Sequence, residues 1–211
     1  MSTNSFDTKA AAWDTQDRIE RARVWAQAFL REVAPGPDAV VADFGTGTGL
    51  LSQAVAPHVG EVIALDSSAG MLAVLQQKCQ AGGLENVRYQ HFDIETDTLQ
   101  PAMCDVFISC LTLHHLRSID HYASTALGAL KSGGCALVID LEEEGGEFHE
   151  DHAGVHHHGF SRVALEQVFA DAGFCAIRFQ TVYHIRKKSR SGTERDFPLF
   201  MMLAYKPAAE V

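Results

Sequence analysis

Apolar residues recur at helical spacing between Asp17 and Val33, where Ile19, Ala22, Ala26, Phe29, Leu30 and Val33 share one face. Pro35-Gly36-Pro37 ends that helix. The next segment, Val40-Val41-Ala42-Asp43-Phe44, is a short apolar run and predicts a buried strand. It empties into Gly45-Thr46-Gly47-Thr48-Gly49, after which Leu51, Ala54 and Val55 return to helical spacing. The same alternation then repeats. Glu61–Leu65 predicts a strand ending in Asp66, followed by a helix through Met71, Leu72 and Leu75, capped by Ser67 or Ser68 and broken at Gly82-Gly83. Val87–Phe92 alternates like a strand and ends at Asp93, and Cys104–Cys110 is a further strand. A helix from Ile119 to Leu130 is expected to stop at Ser132-Gly133-Gly134, and Cys135–Ile139 is the fifth strand, ending at Asp140.

Strands that alternate with helices predict an α/β fold: one Rossmann-like, doubly wound, mostly parallel seven-stranded sheet. The tail breaks the pattern. After a helix over Arg162–Ala172 come two consecutive strands, Ala176–Ile185 and Pro198–Tyr205, which predict a C-terminal antiparallel hairpin. The intervening residues 186–197 read as a polar loop. In such sheets ligands gather at the carboxyl ends of the strands, where Asp43, Asp66, Asp93 and Asp140 lie. Glycine at every second position lets a backbone approach a nucleotide-like ligand. The spacing is not that of a dinucleotide fingerprint, whose third glycine would fall on Leu50.

Size and charge narrow the function. A chain of 211 residues, 46% hydrophobic, suits one well-buried domain and leaves no room for a dehydrogenase's second domain. A net charge of -10 gives no global attraction to nucleic acid or anionic membrane. Five scattered cysteines without a C-x-x-C pair read as reduced thiols. Asp7, Asp14 and Asp17 argue against a signal peptide, and no apolar run approaches membrane-spanning length, so a cytoplasmic protein is expected.

The order D-x-G-x-G-x-G over Asp43–Gly49 resembles the first motif of class I S-adenosylmethionine (SAM)-dependent methyltransferases. The resemblance extends through residues 38–141. It implies that Asp43, Phe44, Gly45, Thr46, Gly47 and Gly49 form the loop that holds the amino-acid end of SAM, and that Asp66 and Ser67 meet the ribose. Met71 would pack on the adenine face or else serve as a core methionine at helical spacing. Asp93 would accept from the adenine amino group, the backbone of Ile94 would meet the ring, and Cys110 would contact the methionine moiety. The opening Phe6-Asp7 to Trp13-Asp14, with Arg18 and Arg21, resembles the N-terminal lid of small-molecule methyltransferases related to quinone-biosynthesis enzymes. Residues 1–34 would then be a lid segment packed on a methyltransferase domain of residues 35–211, with Trp13 at the substrate. The implied reaction moves a methyl group from SAM to a small molecule and leaves S-adenosylhomocysteine.

Methyl transfer from a sulfonium is an in-line displacement governed by positioning, and a base is needed only for a protonated acceptor. After the fourth strand the chain lacks an Asn/Asp-Pro-Pro-aromatic signature and carries His114-His115 instead. A second cluster runs from Phe148 to Phe160 and includes His149, His152, His156, His157 and His158. His114, His115, His152 and His156 are the acid–base candidates, and Trp13, His114, His152 and His156 the substrate contacts. His149-Glu150-Asp151-His152 is one residue short of H-E-x-x-H and has no paired cysteines beside it, so no metal is assigned. The alternative is a non-catalytic SAM-binding or metal-sensing regulator that uses His149–His158. The basic run Arg186–Arg190 reads as a solvated loop rather than a nucleic-acid contact. Partners are expected to be a small-molecule substrate, with no nucleic acid and no membrane, in a monomer or homodimer.

Overall fold

A computed structural model describes residues 6–209. Its strands are β1 (Val40–Phe44), β2 (Glu61–Asp66), β3 (Val87–His91), β4 (Cys104–Cys110), β5 (Leu130–Leu141), β6 (Cys175–Lys188) and β7 (Glu194–Tyr205). They form one seven-stranded sheet in the order β3-β2-β1-β4-β5-β7-β6. β1 and β2 pair in parallel, as do β2 and β3. β7 lies antiparallel between β5 and β6, which gives the mixed sheet expected from the tail. The helices are α1 (Gln16–Val33), α2 (Leu50–Val55), α3 (Ala69–Gly82), α4 (Ile119–Ala129) and α5 (Arg162–Ala172).

The chain divides into two compact units, residues 1–98 with Cys104–Ile108, and Leu99–Met103 with residues 109–211. In the first unit Val41, Ala42, Val62, Ile63, Leu65, Leu75 and Phe107 are buried, and Phe44 meets the rings of both Phe92 and Phe107. α1 is capped by Thr15 and stops at Ala34, which turns left-handed (φ 47°) ahead of the proline pair. Ser68 caps α3 by accepting from Met71 N–H at 3.1 Å, and Gly83 closes it at φ 66°. In the second unit Leu137, Val138, Ile139, Phe200 and Leu203 are buried, with Tyr122 of α4 against Phe169 of α5. Ser161 caps α5.

Two boundaries differ from the sequence reading. α4 ends at Ala129 and β5 begins on the next residue, so Ser132-Gly133-Gly134 lies within the strand rather than before it, with Gly133 at φ 75°. The extended backbone of Leu130 (φ -74°, ψ 139°) makes the change of direction without a separate loop. Residues 186–197 are mostly ladder, not loop. Arg186 faces Asp196, Lys187 faces Arg195 and Lys188 faces Glu194, leaving a short turn between Lys188 and Glu194. Two of these three cross-strand pairs join opposite charges, which suits an exposed antiparallel ladder. The charge that suggested a loop supports a strand.

Candidate functional site

The glycine loop is held from three sides. Gly45, Gly47 and Gly49 have φ of 70°, 57° and 73°, values that disfavour any side chain. The N–H groups of Gly45 and Thr46 both donate to the Leu65 carbonyl, at 2.8 and 3.0 Å, tying the loop to β2. Asp43, only 2% exposed, accepts from the hydroxyls of Thr46 (2.9 Å) and Ser52 (2.6 Å). Burial raises its carboxyl to about 6, against the pull of those two hydroxyls and with help from the nearby charge of Asp66. Asp43 therefore supports the loop from inside.

Asp66 occupies the end of β2, and its two oxygens accept from Gly47 N–H (2.7 Å) and Ser68 N–H (2.8 Å). Burial raises its pKa, and those two backbone bonds oppose the rise. Asp93 follows closely, because Phe92 N–H donates to the Asp66 carbonyl. The half-buried Asp93 carboxylate accepts from Glu95 N–H at 3.0 Å, while Ile94 is buried. Ser67 is exposed and its carbonyl meets His91 Nε2 at 3.0 Å. Met71 is 2% exposed and packs in the core. Phe44 and Thr46 are likewise buried.

The N-terminal segment meets this loop and the start of α3 through Asp7, Trp13 and Asp14. Asp7 accepts from Ser68 Oγ (2.6 Å) and Gly70 N–H (2.9 Å) at the start of α3. Asp14 accepts from Thr48 Oγ1 (2.5 Å) and from Lys78 Nζ (2.7 Å), which also donates to the Thr48 carbonyl. Trp13 Nε1 stands 4.0 Å from the point where a Gly47 Cβ would sit, and Arg18 stacks on the Trp13 ring at 4.0 Å. The acids were visible in the sequence. What could have marked them was their spacing against the caps of α2 and α3.

In the second unit, Cys110 ends β4 and the chain turns at Leu111 (φ 51°), whose N–H donates to the Ile139 carbonyl. His114 and His115 then lie on a short 3-10 turn, Leu113–His115. His114 is 2% exposed and its Nδ1 lies 2.7 Å from Oδ1 of Asp140, itself fully buried at the end of β5. His115 Nδ1 meets the Gly154 carbonyl at 2.7 Å. The third ring of this group is His149, with centroids 4.9 Å from His114 and 5.9 Å from His115. His115 and His149 are both pushed down to about 4, by burial first and by the neighbouring His114 second. They are neutral imidazoles at physiological pH.

His152 and His156 do not join those rings. His152 Nε2 lies 3.1 Å from the Gly146 carbonyl, and its ring is 4.6 Å from His158, beside the buried Glu144. His156 is exposed, and its backbone, with that of His157, donates to the His114 carbonyl at 2.8 and 3.2 Å. The ring of this segment that meets His114 and His115 is that of His149. Lys187 is not in a solvated loop: its Nζ donates to the Phe148 carbonyl at 2.8 Å and covers the Phe148 ring, fastening residues 142–160 to β6. Among the described residues no group of three His, Cys, Asp or Glu is arranged to hold a metal ion, and no helix is long and apolar enough to cross a membrane.

Residues 41–134 match the methyltransferase domain family. An uncharacterized methyltransferase of Schizosaccharomyces pombe, C1347.09, is 25% identical over 147 residues, 63% of this chain and 52% of that protein. The uncharacterized methyltransferase YcgJ of Bacillus subtilis is 29% identical over 47% of this chain and 40% of its own length. A ubiquinone biosynthesis O-methyltransferase of a Ruegeria species is 30% identical over 53% and 45%. This chain spans about half the length of the curated relatives it matches. In solved structures, YcgJ superposes with a TM-score of 0.73 at 17% identity, covering 87% of this chain and 98% of that one. A Haemonchus contortus phosphoethanolamine N-methyltransferase in complex with SAM gives 0.74 at 18% identity, covering 98% and 61%. At those identities the likeness is one of fold.

Proposed function

We propose that this chain, whose residues 41–134 match the methyltransferase domain family, moves a methyl group from SAM to a small-molecule acceptor. The observation that carries the reading is the junction of loop and acid. Three left-handed glycines form the loop beside Asp66, whose carboxylate accepts from Gly47 N–H at 2.7 Å. That arrangement fits an adenosyl ligand with an amino-acid tail. Gly45–Gly49 would hold the tail, Asp66 the ribose hydroxyls, and Asp93 with Ile94 the adenine. When bound, SAM supplies an electrophilic methyl carrying its own leaving group, so the protein's work is to orient the acceptor and keep water out. Trp13 and residues 6–34 would cover the donor. A net charge of -10 and five cysteines in no disulfide support a cytoplasmic enzyme that does not act on nucleic acid.

Calorimetry with SAM, S-adenosylhomocysteine and NADH tests the reading. SAM and its product should bind at one site, and Asp66→Ala should weaken them by ~1–3 kcal/mol through ribose hydrogen bonds left unmade. Equal affinity in the variant, or binding of NADH instead of SAM, would remove the assignment.

A further inference from the structure

Within the first unit the N-terminal segment is tied down at two points of different chemistry. At one, Asp7 Oδ1 accepts from Ser68 Oγ and Gly70 N–H, and the Asp7 Cα lies 3.0 Å from where a Gly70 Cβ would stand, so glycine admits the close approach. At the other, Asp14 divides its carboxylate between Thr48 Oγ1 and Lys78 Nζ. Lys78 donates as well to the Thr48 carbonyl at 2.7 Å, so one ammonium clamps an acid of the segment to a carbonyl of the glycine loop. The Lys78 and Asp14 side chains are 26% and 25% exposed, which leaves the pair within reach of salt. Between the two ties the chain makes a 3-10 turn with Ala10 buried, and the Phe6 and Trp13 rings meet edge to face at 5.8 Å. Trp13 beside Gly47 and Asp14 on Thr48 are chain neighbours, so they leave the loop together.

Resting on the reading of Gly45–Gly49 as the loop that holds SAM, we propose that Lys78 is a positioning residue that sets how fast the donor and its product exchange. It acts through Asp14. While the ion pair holds, the segment stays seated on the loop and the ligand beneath it is retained. When the pair parts, the Asp14 end lifts, and the hydrogen bonds of Asp7 at the start of α3 serve as the pivot. Neutral hydrogen bonds respond little to ionic strength, whereas a part-exposed ion pair is weakened by it. The two ties therefore differ in what loosens them, and salt opens the Asp14 end. Release of the nucleoside ligand is an ionic-strength-dependent rate.

The test follows tritiated S-adenosylhomocysteine, which has no net charge at neutral pH, as it leaves the full chain after a chase of unlabelled SAM. In the native chain release should quicken about three- to tenfold between about 0.02 M and about 0.5 M potassium chloride. Lys78→Met keeps the aliphatic stem and loses the charge. Its release should already be fast at low salt and should no longer respond to salt. Lys78→Arg retains a cation and should restore both the slow release and its salt response. Arg88→Met, which removes a cation from the exposed pair with Glu61, should behave as the native chain does. Should K78M lose its circular dichroism, D14N, which keeps an acceptor for Thr48, is read in its place. A native rate indifferent to salt overturns the proposal, as does K78M with native release and native salt response, or R88M that shifts as K78M does. In those outcomes the ligand still binds, and the donor site stands. S-adenosylhomocysteine and SAM that never bind the native chain remove the donor reading itself.

Discussion

The substitution Asp43→Asn removes a charge that the fold keeps at a cost. The carboxyl is 2% exposed and its pKa stands at about 6, against an ordinary 3.8. Between those values the folded protein holds a proton that the unfolded chain has released. Stability from this group is therefore present at low pH and is lost as pH rises through about 6. Integrating the two titrations gives a loss of about 2 kcal/mol from about pH 4.5 to about pH 7.5. The replacement amide has no such titration, and its carbonyl can still accept from a hydroxyl of Thr46 or Ser52. Urea unfolding of both proteins across that range, at fixed ionic strength and unchanged m, isolates the effect, because titrations elsewhere cancel in the difference. The stability of D43N relative to the native chain should rise with pH by about 2 kcal/mol. A difference that stays flat, or falls, would refute the argument that Asp43 is a buried, strained support of the loop.

Three further outcomes follow from the geometry. Gly49→Ala would put a Cβ 2.1 Å from Leu75 Cδ1 on a backbone at φ 73°, so thermal unfolding should register a loss of about 2–4 kcal/mol. Lys78→Met leaves Asp14 without its cation. Global stability should drop by less than about 1 kcal/mol, yet limited proteolysis within residues 9–15 should quicken several-fold, since this part-buried pair fastens the segment rather than the core. His115 and His149 have folded pKa values of about 4, below the ordinary 6.5, so the unfolded chain takes up protons first on acidification. Stability should climb between pH 4 and 6.5, and replacing both with Phe should flatten that part of the urea-stability profile.

Much of the fold was legible because local patterns agreed with one another. The apolar runs that end in Asp43, Asp66 and Asp140 are strands, and Ser68, Ser161 and Gly83 cap helices where their chemistry predicts. The glycine loop was legible for the same reason: its residues are neighbours in sequence. What escaped notice depends on contacts between distant residues. Asp140 and His114 are 26 positions apart, and nothing local distinguishes His149 from the other histidines of its loop. The ladder from Arg186 to Asp196 was hidden because a charged strand at a sheet edge has the composition of a turn. Asp7 and Asp14 stood in the stretch that resembles a lid, but their partners Ser68, Gly70, Thr48 and Lys78 lie 34 to 64 positions away.

The excursion of residues 142–160 is drawn shut at its neck. Glu142 bridges Phe160, Phe160 N–H returns to the Leu141 carbonyl at 2.9 Å, and a Cβ on Gly159 would strike the Glu142 carbonyl at 2.0 Å. A knotted drawstring leaves the bag free to change size. Lengthening such a closed excursion costs only the slowly growing entropy of the loop, with no strain passed to the strand beneath. Descendants of this chain can rewrite that stretch while the sheet goes on folding unaltered.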